Sequence, residues 1–351
     1  MNRWLFSARI DLAVFGATAV AALVLVALGP QLGAGSGDSP EWSWITGVLL
    51  VDVAHVWSTA FVVYLDPIEW RRRSELYIAV PVAAYVAGVA LYAYGDGLFW
   101  RVIAYLAVFH FVRQQYGWVM MYRARAGERD RIGRWLDGAT IYMATLYPLI
   151  WWHAQLPRRF AWMKDGDFVA GVPAWLAGIA GVVYVALLAI YVVRAIATWR
   201  RAAWGKHLVV VATAACWYVG IVATNTDYAF TVTNVFVHGI PYLALVYLYA
   251  RAAAREPGAT TGPSARLLAR GIVVFLGTLW LIAYVEELVW DKTIWHERSY
   301  LFGGGIEVGV GAILIAPLLA VPQLTHYVLD GFLWRRTANP RLGRLLTPSR
   351  S

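Results

Sequence analysis

Four histidines, His55, His110, His238 and His326, each sit inside an apolar run, and each has a polar residue one helical turn away. Asp52 lies three positions before His55 and Gln114 four after His110; Asn234 and Tyr242 flank His238 by four on either side, and Asp330 follows His326 by four. Residues three and four apart share a helix face. In a metal centre, the imidazole nitrogen that does not ligate gives its proton to such a carboxylate, amide or phenol. The expected ligands are therefore His55, His110, His238 and His326, with Asp52 or Asp330 able to ligate directly. Three or four imidazoles with one or two carboxylates suit iron and would also take zinc, manganese or copper; two histidines and a carboxylate with open positions make a non-haem iron(II) oxygenase face. Two histidines on facing helices could instead hold haem iron. Without any metal the same groups would form a proton relay.

Arg113, three residues after His110, is the other costly group in that run. It is expected near the histidines, either gripping a substrate headgroup or an anionic oxygen, or paired with Asp52 or Asp330. With Gln114 and Tyr242 it completes the expected catalytic surroundings of the metal. His153, His207 and His296 fall at the ends of apolar runs or in a loop, which are ordinary interfacial positions.

The elements that must position these side chains follow from composition. Of 351 residues, 60% are hydrophobic and 15% charged, against about 25% charged in an ordinary soluble domain. This is the composition of a polytopic membrane protein, an all-α bundle with no exposed backbone in lipid. Apolar runs long enough for a ~30 Å hydrocarbon core occur at 10–29, 42–65, 76–94, 98–121, 137–153, 173–193, 207–224, 228–250, 267–286 and 306–334, giving ten expected spans. Arginine clusters such as Arg71–Arg73, Arg123–Arg134 and Arg251–Arg270 fall in alternate connections, while the other connections hold little more than Arg158, Arg159, Lys164, Lys292 and Arg298. The positive-inside rule then puts both termini in the cytoplasm, in a multi-pass protein of a bacterial-type cytoplasmic membrane. The net charge of +9 is spent on orientation in short clusters, which argues against a nucleic-acid partner. The single cysteine, Cys216, excludes an intrachain disulfide and a thiolate cluster. The first run lacks a small-residue cleavage site and reads as a retained helix.

Residues 1–336 are expected to form one transmembrane domain and 337–351 a basic cytoplasmic tail near anionic headgroups. Residues 256–264 read as a flexible linker, and 287–305, with Trp290, Trp295, Tyr300 and Phe302, as an interfacial loop or lid. Gly239 and Pro241 directly after His238 predict a local helix break.

With ten spans, His55, His110, His238 and His326 lie on spans 2, 4, 8 and 10, all running in one direction. Counting from each to the next cytoplasmic arginine places them within ~10 Å of one another along the membrane normal at 1.5 Å per residue. In this respect the chain resembles the bacterial beta-carotene-cleaving membrane dioxygenases, whose iron is held by single histidines on separate helices plus a histidine pair. That pair is missing here, as are the H-x-x-x-H and H-x-x-H-H clusters of fatty-acid desaturases and alkane hydroxylases. The resemblance is one of intramembrane histidine ligation and transfers no residue role.

The expected function is a membrane metal-dependent oxidoreductase, with iron its cofactor, an apolar lipid-like substrate entering from the bilayer, and an electron donor as a further partner. The alternatives are a proton-coupled transporter or channel using the same polar residues, and a haem-binding or non-catalytic membrane assembly subunit.

Overall fold

The computed structural model describes residues 4–35, 39–201, 203–256, 262–335 and 339–345. Arg3, Gly37, Arg336, Arg350, most of the 256–264 linker and the end of the basic tail lie outside the described residues.

All regular structure among the described residues is helical. The long helices are α1 (Ala8–Ala27), α2 (Glu41–Val62), α3 (Pro67–Tyr94), α4 (Asp96–Ala126), α5 (Arg131–Ala154), α6 (Ala174–Ala197), α7 (Trp204–Ala223), α8 (Asp227–Ala253), α9 (Ile272–Trp295) and α10 (Gly309–Leu333). Eight of them are long and apolar enough to cross a membrane: α1, α2, α3 and α6 to α10. α4 and α5 have the length but not the composition, because Arg101, Arg113, Arg123 and Arg125 punctuate α4 and Arg131, Arg134 and Asp137 the first turns of α5.

Local chemistry sets the helix starts. Ser7 accepts the Ile10 N–H at the head of α1. Asp66 caps α3 by accepting from Ile68 and Glu69, with Pro67 at the first helical position, where a missing N–H costs nothing. Asp130 caps α5 through the Gly133 N–H. Two boundaries differ from expectation. α3 begins at Pro67 and bends at Arg73, whose φ of −148° is not helical, so the arginines lie on a short first segment before the apolar part. α9 starts only after Gly271, whose φ of +92° suits glycine alone, and continues through Glu286 and Glu287 to Trp295. α8 does not break at Gly239–Pro241; it runs on through Pro241.

The chain forms two compact units, residues 1–47 with 107–241, and 48–106 with 242–351. In the first, α5 packs on α6 and α7, and α7 on α1. The ring of Tyr147 stacks on Tyr184 at 5.0 Å, and Ala19, Ala22, Ala212, Cys216 and Val237 make a core of small side chains. Arg123 of α4 pairs with Asp137 and, at 3.0 Å, with Glu128; Lys206 of α7 reaches the same carboxylates at 2.9 and 2.7 Å. Asp11, fully buried, accepts the Leu5 and Phe6 N–H groups and the Tyr122 hydroxyl.

In the second unit α10 packs along α3 and α9 against α2. Gly88 approaches Pro317 so closely that a Cβ would lie 3.0 Å from the proline Cβ. Phe61 and Phe275 meet edge-on at 4.8 Å. Trp290 and Trp295, expected in a surface loop, belong to α9 and pack on Trp100. The described part of the expected tail is folded: the helix Pro340–Leu345 buries Arg341, which pairs with Asp66 at 3.0 Å, Glu69 at 3.5 Å and Glu256 at 2.7 Å.

Candidate metal centre

α2, α4, α8 and α10 each supply one histidine, and all four side chains are buried, none more than 5% exposed. One ring nitrogen from each of His55, His110, His238 and His326 lies within 4.8 Å of the other three. With bonds of ~2.0–2.1 Å, ligand nitrogens around one ion stand ~3.3 Å apart in a tetrahedron and ~4.2 Å apart when opposite. The observed spread exceeds that by well under an ångström per bond, so this cluster could hold a metal ion. The donor type supports this, since a neutral imidazole nitrogen is a common ligand of zinc, copper, iron and nickel.

Each histidine is oriented by its own surroundings. In the first unit, His238 lies flat on Phe111, centroids 3.5 Å apart and planes 8° from parallel, and the His110 ring meets it edge-on at 5.1 Å. Gln114 gives its amide N–H to the His238 carbonyl at 3.3 Å, so it acts on the α8 backbone rather than as a simple neighbour of His110. Its Oε1 is buried without a hydrogen bond among the described residues. Asn234 donates to the Phe230 carbonyl at 3.0 Å.

In the second unit, His55 and His326 meet edge-on at 4.9 Å. The Tyr242 ring stands edge-on to both, at 5.6 and 5.1 Å. The Ser58 hydroxyl donates to the His55 carbonyl at 2.6 Å. Asp52 Oδ1 is 3.5 Å from His55 Nδ1. The turns from Trp44 to Val53 are π-helical, so the wider winding loosens the three-residue register that would bring Asp52 onto His55. His326 Nδ1 is 2.8 Å from the Thr59 hydroxyl and 3.8 Å from Asp330 Oδ1. Asp330 instead receives the Tyr242 hydroxyl at 2.5 Å and the Trp334 indole N–H at 3.0 Å.

Arg113 is not brought to the histidines. It is exposed, hydrogen-bonds the Tyr142 hydroxyl and lies over the Tyr116 ring at 5.0 Å, because its side chain leaves α4 on the side of α5. His153 and His207 serve local structure: His153 Nδ1 is 2.7 Å from the Leu149 carbonyl and His207 Nδ1 2.7 Å from the Tyr191 hydroxyl.

Thr59, Phe111 and Trp334 were not singled out as site residues from sequence. Thr59 follows His55 by four, the same spacing that drew attention to Gln114 and Asp330, so the signal was there. Glu286 is also not among the expected residues; in mid-helix it accepts the indole N–H of Trp57 and, at 3.2 Å, that of Trp290.

No family model matches the chain, no curated protein is significantly similar to it, and no solved structure matches it significantly. The site and fold define its class: a helical protein with apolar helices long enough to cross a membrane and a buried four-histidine cluster able to bind a metal.

Proposed function

We propose that this chain is a ten-span integral membrane metalloprotein with both termini cytoplasmic, and that its metal, non-haem iron in first place, serves oxidation of an apolar, lipid-soluble substrate. The observation that carries this is the convergence of four buried imidazole nitrogens within 4.8 Å, one from each of four helices. α4 spans 31 residues and α5 spans 24, both enough to cross ~30 Å, and α4 carries His110, which supports counting them as spans. Iron rests on the donor type, which zinc, copper and nickel also accept. Haem fits less well, because its plane takes axial ligands from two sides whereas four imidazoles here gather at one point. A redox metal held by neutral imidazoles would supply electron transfer or Lewis acidity; an outside electron donor would complete a turnover. The protein's own part is to exclude water, fix the rings and admit a bilayer-dissolved substrate.

Metal analysis of the purified protein tests this. Stoichiometric metal is expected in the wild type and its loss in His110→Ala and His326→Ala, with helicity retained. A folded wild type without metal or haem absorbance overturns it. One observation favours proton-coupled transport instead: α2 carries Asp52, 3.5 Å from His55, and, through the Trp57 indole N–H, holds the mid-helix carboxylate of Glu286. Proton flux in metal-free liposomes, abolished by Glu286→Gln, would select that reading.

A further inference from the structure

Thr59, Tyr242, Asp330 and Trp334 form a hydrogen-bonded set that reaches the cluster by a hydrogen bond at His326. Thr59 Oγ1 lies 2.8 Å from His326 Nδ1 and 3.3 Å from the Tyr242 hydroxyl. The Tyr242 hydroxyl lies 2.5 Å from Asp330 Oδ1, and Trp334 Nε1 lies 3.0 Å from that same oxygen and 3.2 Å from the Tyr242 hydroxyl.

An indole N–H only donates, and an ionised carboxylate only accepts. Asp330 Oδ1 thus accepts from Trp334, and with Asp330 as the carboxylate it also takes the single Tyr242 proton. The Tyr242 oxygen then has lone pairs left for Trp334 and for Thr59. The single Thr59 proton goes to Tyr242, so the Thr59 oxygen must accept from His326. His326 therefore carries its proton on Nδ1, and Nε2 is the unprotonated nitrogen. Run the other way, with Thr59 donating to His326, the 3.3 Å Thr59–Tyr242 contact would have no proton to bridge it, because the single Tyr242 proton is committed to Asp330.

We propose that this relay fixes the tautomer of His326 so that Nε2 is the ligand, with Thr59 as the positioning residue and Asp330 acting through Tyr242 and Thr59 without ligating the metal. The inference rests on the metal-centre reading and adds to it which nitrogen ligates and what holds it there. Asp330 Oδ1, at 3.8 Å from Nδ1, is too far for a direct hydrogen bond, and the hydroxyls of Thr59 and Tyr242 link the two groups.

The test uses the full chain in nanodiscs and cobalt(II) as the probe. Thr59→Val keeps the side-chain shape and removes the hydroxyl; Thr59→Ser keeps the hydroxyl. Loss of an outer partner of a ligating histidine lowers metal affinity by about 10–100-fold. That loss is expected in Thr59→Val, with affinity and the cobalt absorption bands recovered in Thr59→Ser. A measurement without a variant of Thr59 runs beside it: nitrogen-15 NMR of the metal-free wild type, with the His326 signals assigned by their loss in His326→Asn. A proton on Nδ1 supports the proposal; a proton on Nε2 overturns it. Wild-type affinity in Thr59→Val overturns the positioning role and leaves the metal centre standing. No cobalt, zinc or iron bound by the wild type overturns the metal centre, and the relay's purpose with it.

Discussion

An imidazole ligates only along the lone pair in its ring plane, so ring orientation matters as much as ring position. His238 owes its orientation to Phe111, packed face to face at 3.5 Å, and Phe111 is in turn held edge-on by Trp162 at 5.0 Å. Phe111→Leu keeps most of the buried volume, a change that typically costs less than ~1.5 kcal/mol, but removes the flat surface. The expected result is a near-normal unfolding temperature with metal affinity reduced about 10-fold, the lower end of the range for lost orienting partners, measured by competition with a chelator. At this scale the four histidines were legible in the sequence, because each is expensive in an apolar run and their distances to the next arginine agree. Their partners were legible only where they share a helix with the histidine. Thr59 shows the limit: its spacing from His55 is visible, but the imidazole it touches is His326, on another helix. Arg113 shows the converse. Position three after His110 suggested a shared face, yet its cost is met by Tyr142 and Tyr116 on the outer side.

Helix ends were harder to place than helices. The expected end of the ninth span at 286 puts Glu287 at the start of a loop, and a carboxylate in lipid is costly. Two indole N–H groups, from Trp57 and Trp290, meet that cost for Glu286, and α9 continues past it. Contacts between helices depend on small residues that composition does not reveal. Gly220 of α7 faces Thr233 of α8 so closely that a Cβ would fall 1.9 Å from Thr233 Oγ1 and 3.1 Å from Asn234 Nδ2. The Thr233 hydroxyl cannot easily turn aside, since it donates to the Ala229 carbonyl at 2.7 Å. Gly220→Ala is expected to destabilise by about 1–3 kcal/mol, the usual cost of overpacking. It should also weaken metal binding, because the strained turn of α8 is the one before His238. Thermal unfolding with and without metal measures both effects, and Thr233→Ala added to Gly220→Ala should recover most of each.

Across the whole molecule, each compact unit closes around its own buried charge cluster. Arg123, Lys206, Asp137 and Glu128 serve the first, and Arg341, Asp66, Glu69 and Glu256 the second. The arginine-rich connections were read as orientation signals, and part of that basic charge is used in these clusters. Arg123 and Arg341, each 4% exposed, are structural counter-ions. Removing one partner from such a cluster leaves uncompensated buried charge and typically costs ~3–5 kcal/mol. Arg341→Ala is therefore expected to lower the unfolding temperature sharply, and added salt should not reproduce the effect in the wild type, because the pairs are shielded from solvent. An unchanged unfolding temperature would mean that the short C-terminal helix is dispensable. The expected count of ten spans exceeds the eight helices that pass on length and apolarity for a related reason: α4 carries Arg123 of the first cluster and His110, and α5 carries Asp137.

One donor per helix also dates the centre in the life of the chain. The fourth histidine stands at position 326 of 351, on the last long helix. While the chain is being threaded into the bilayer, the first three imidazoles are in place without the fourth. An ion held by all four would therefore bind only once α10 has joined the bundle. Loading would then follow the placing of α10 and be open to limitation by metal supply, and a chain cut short before α10 would lack the fourth donor.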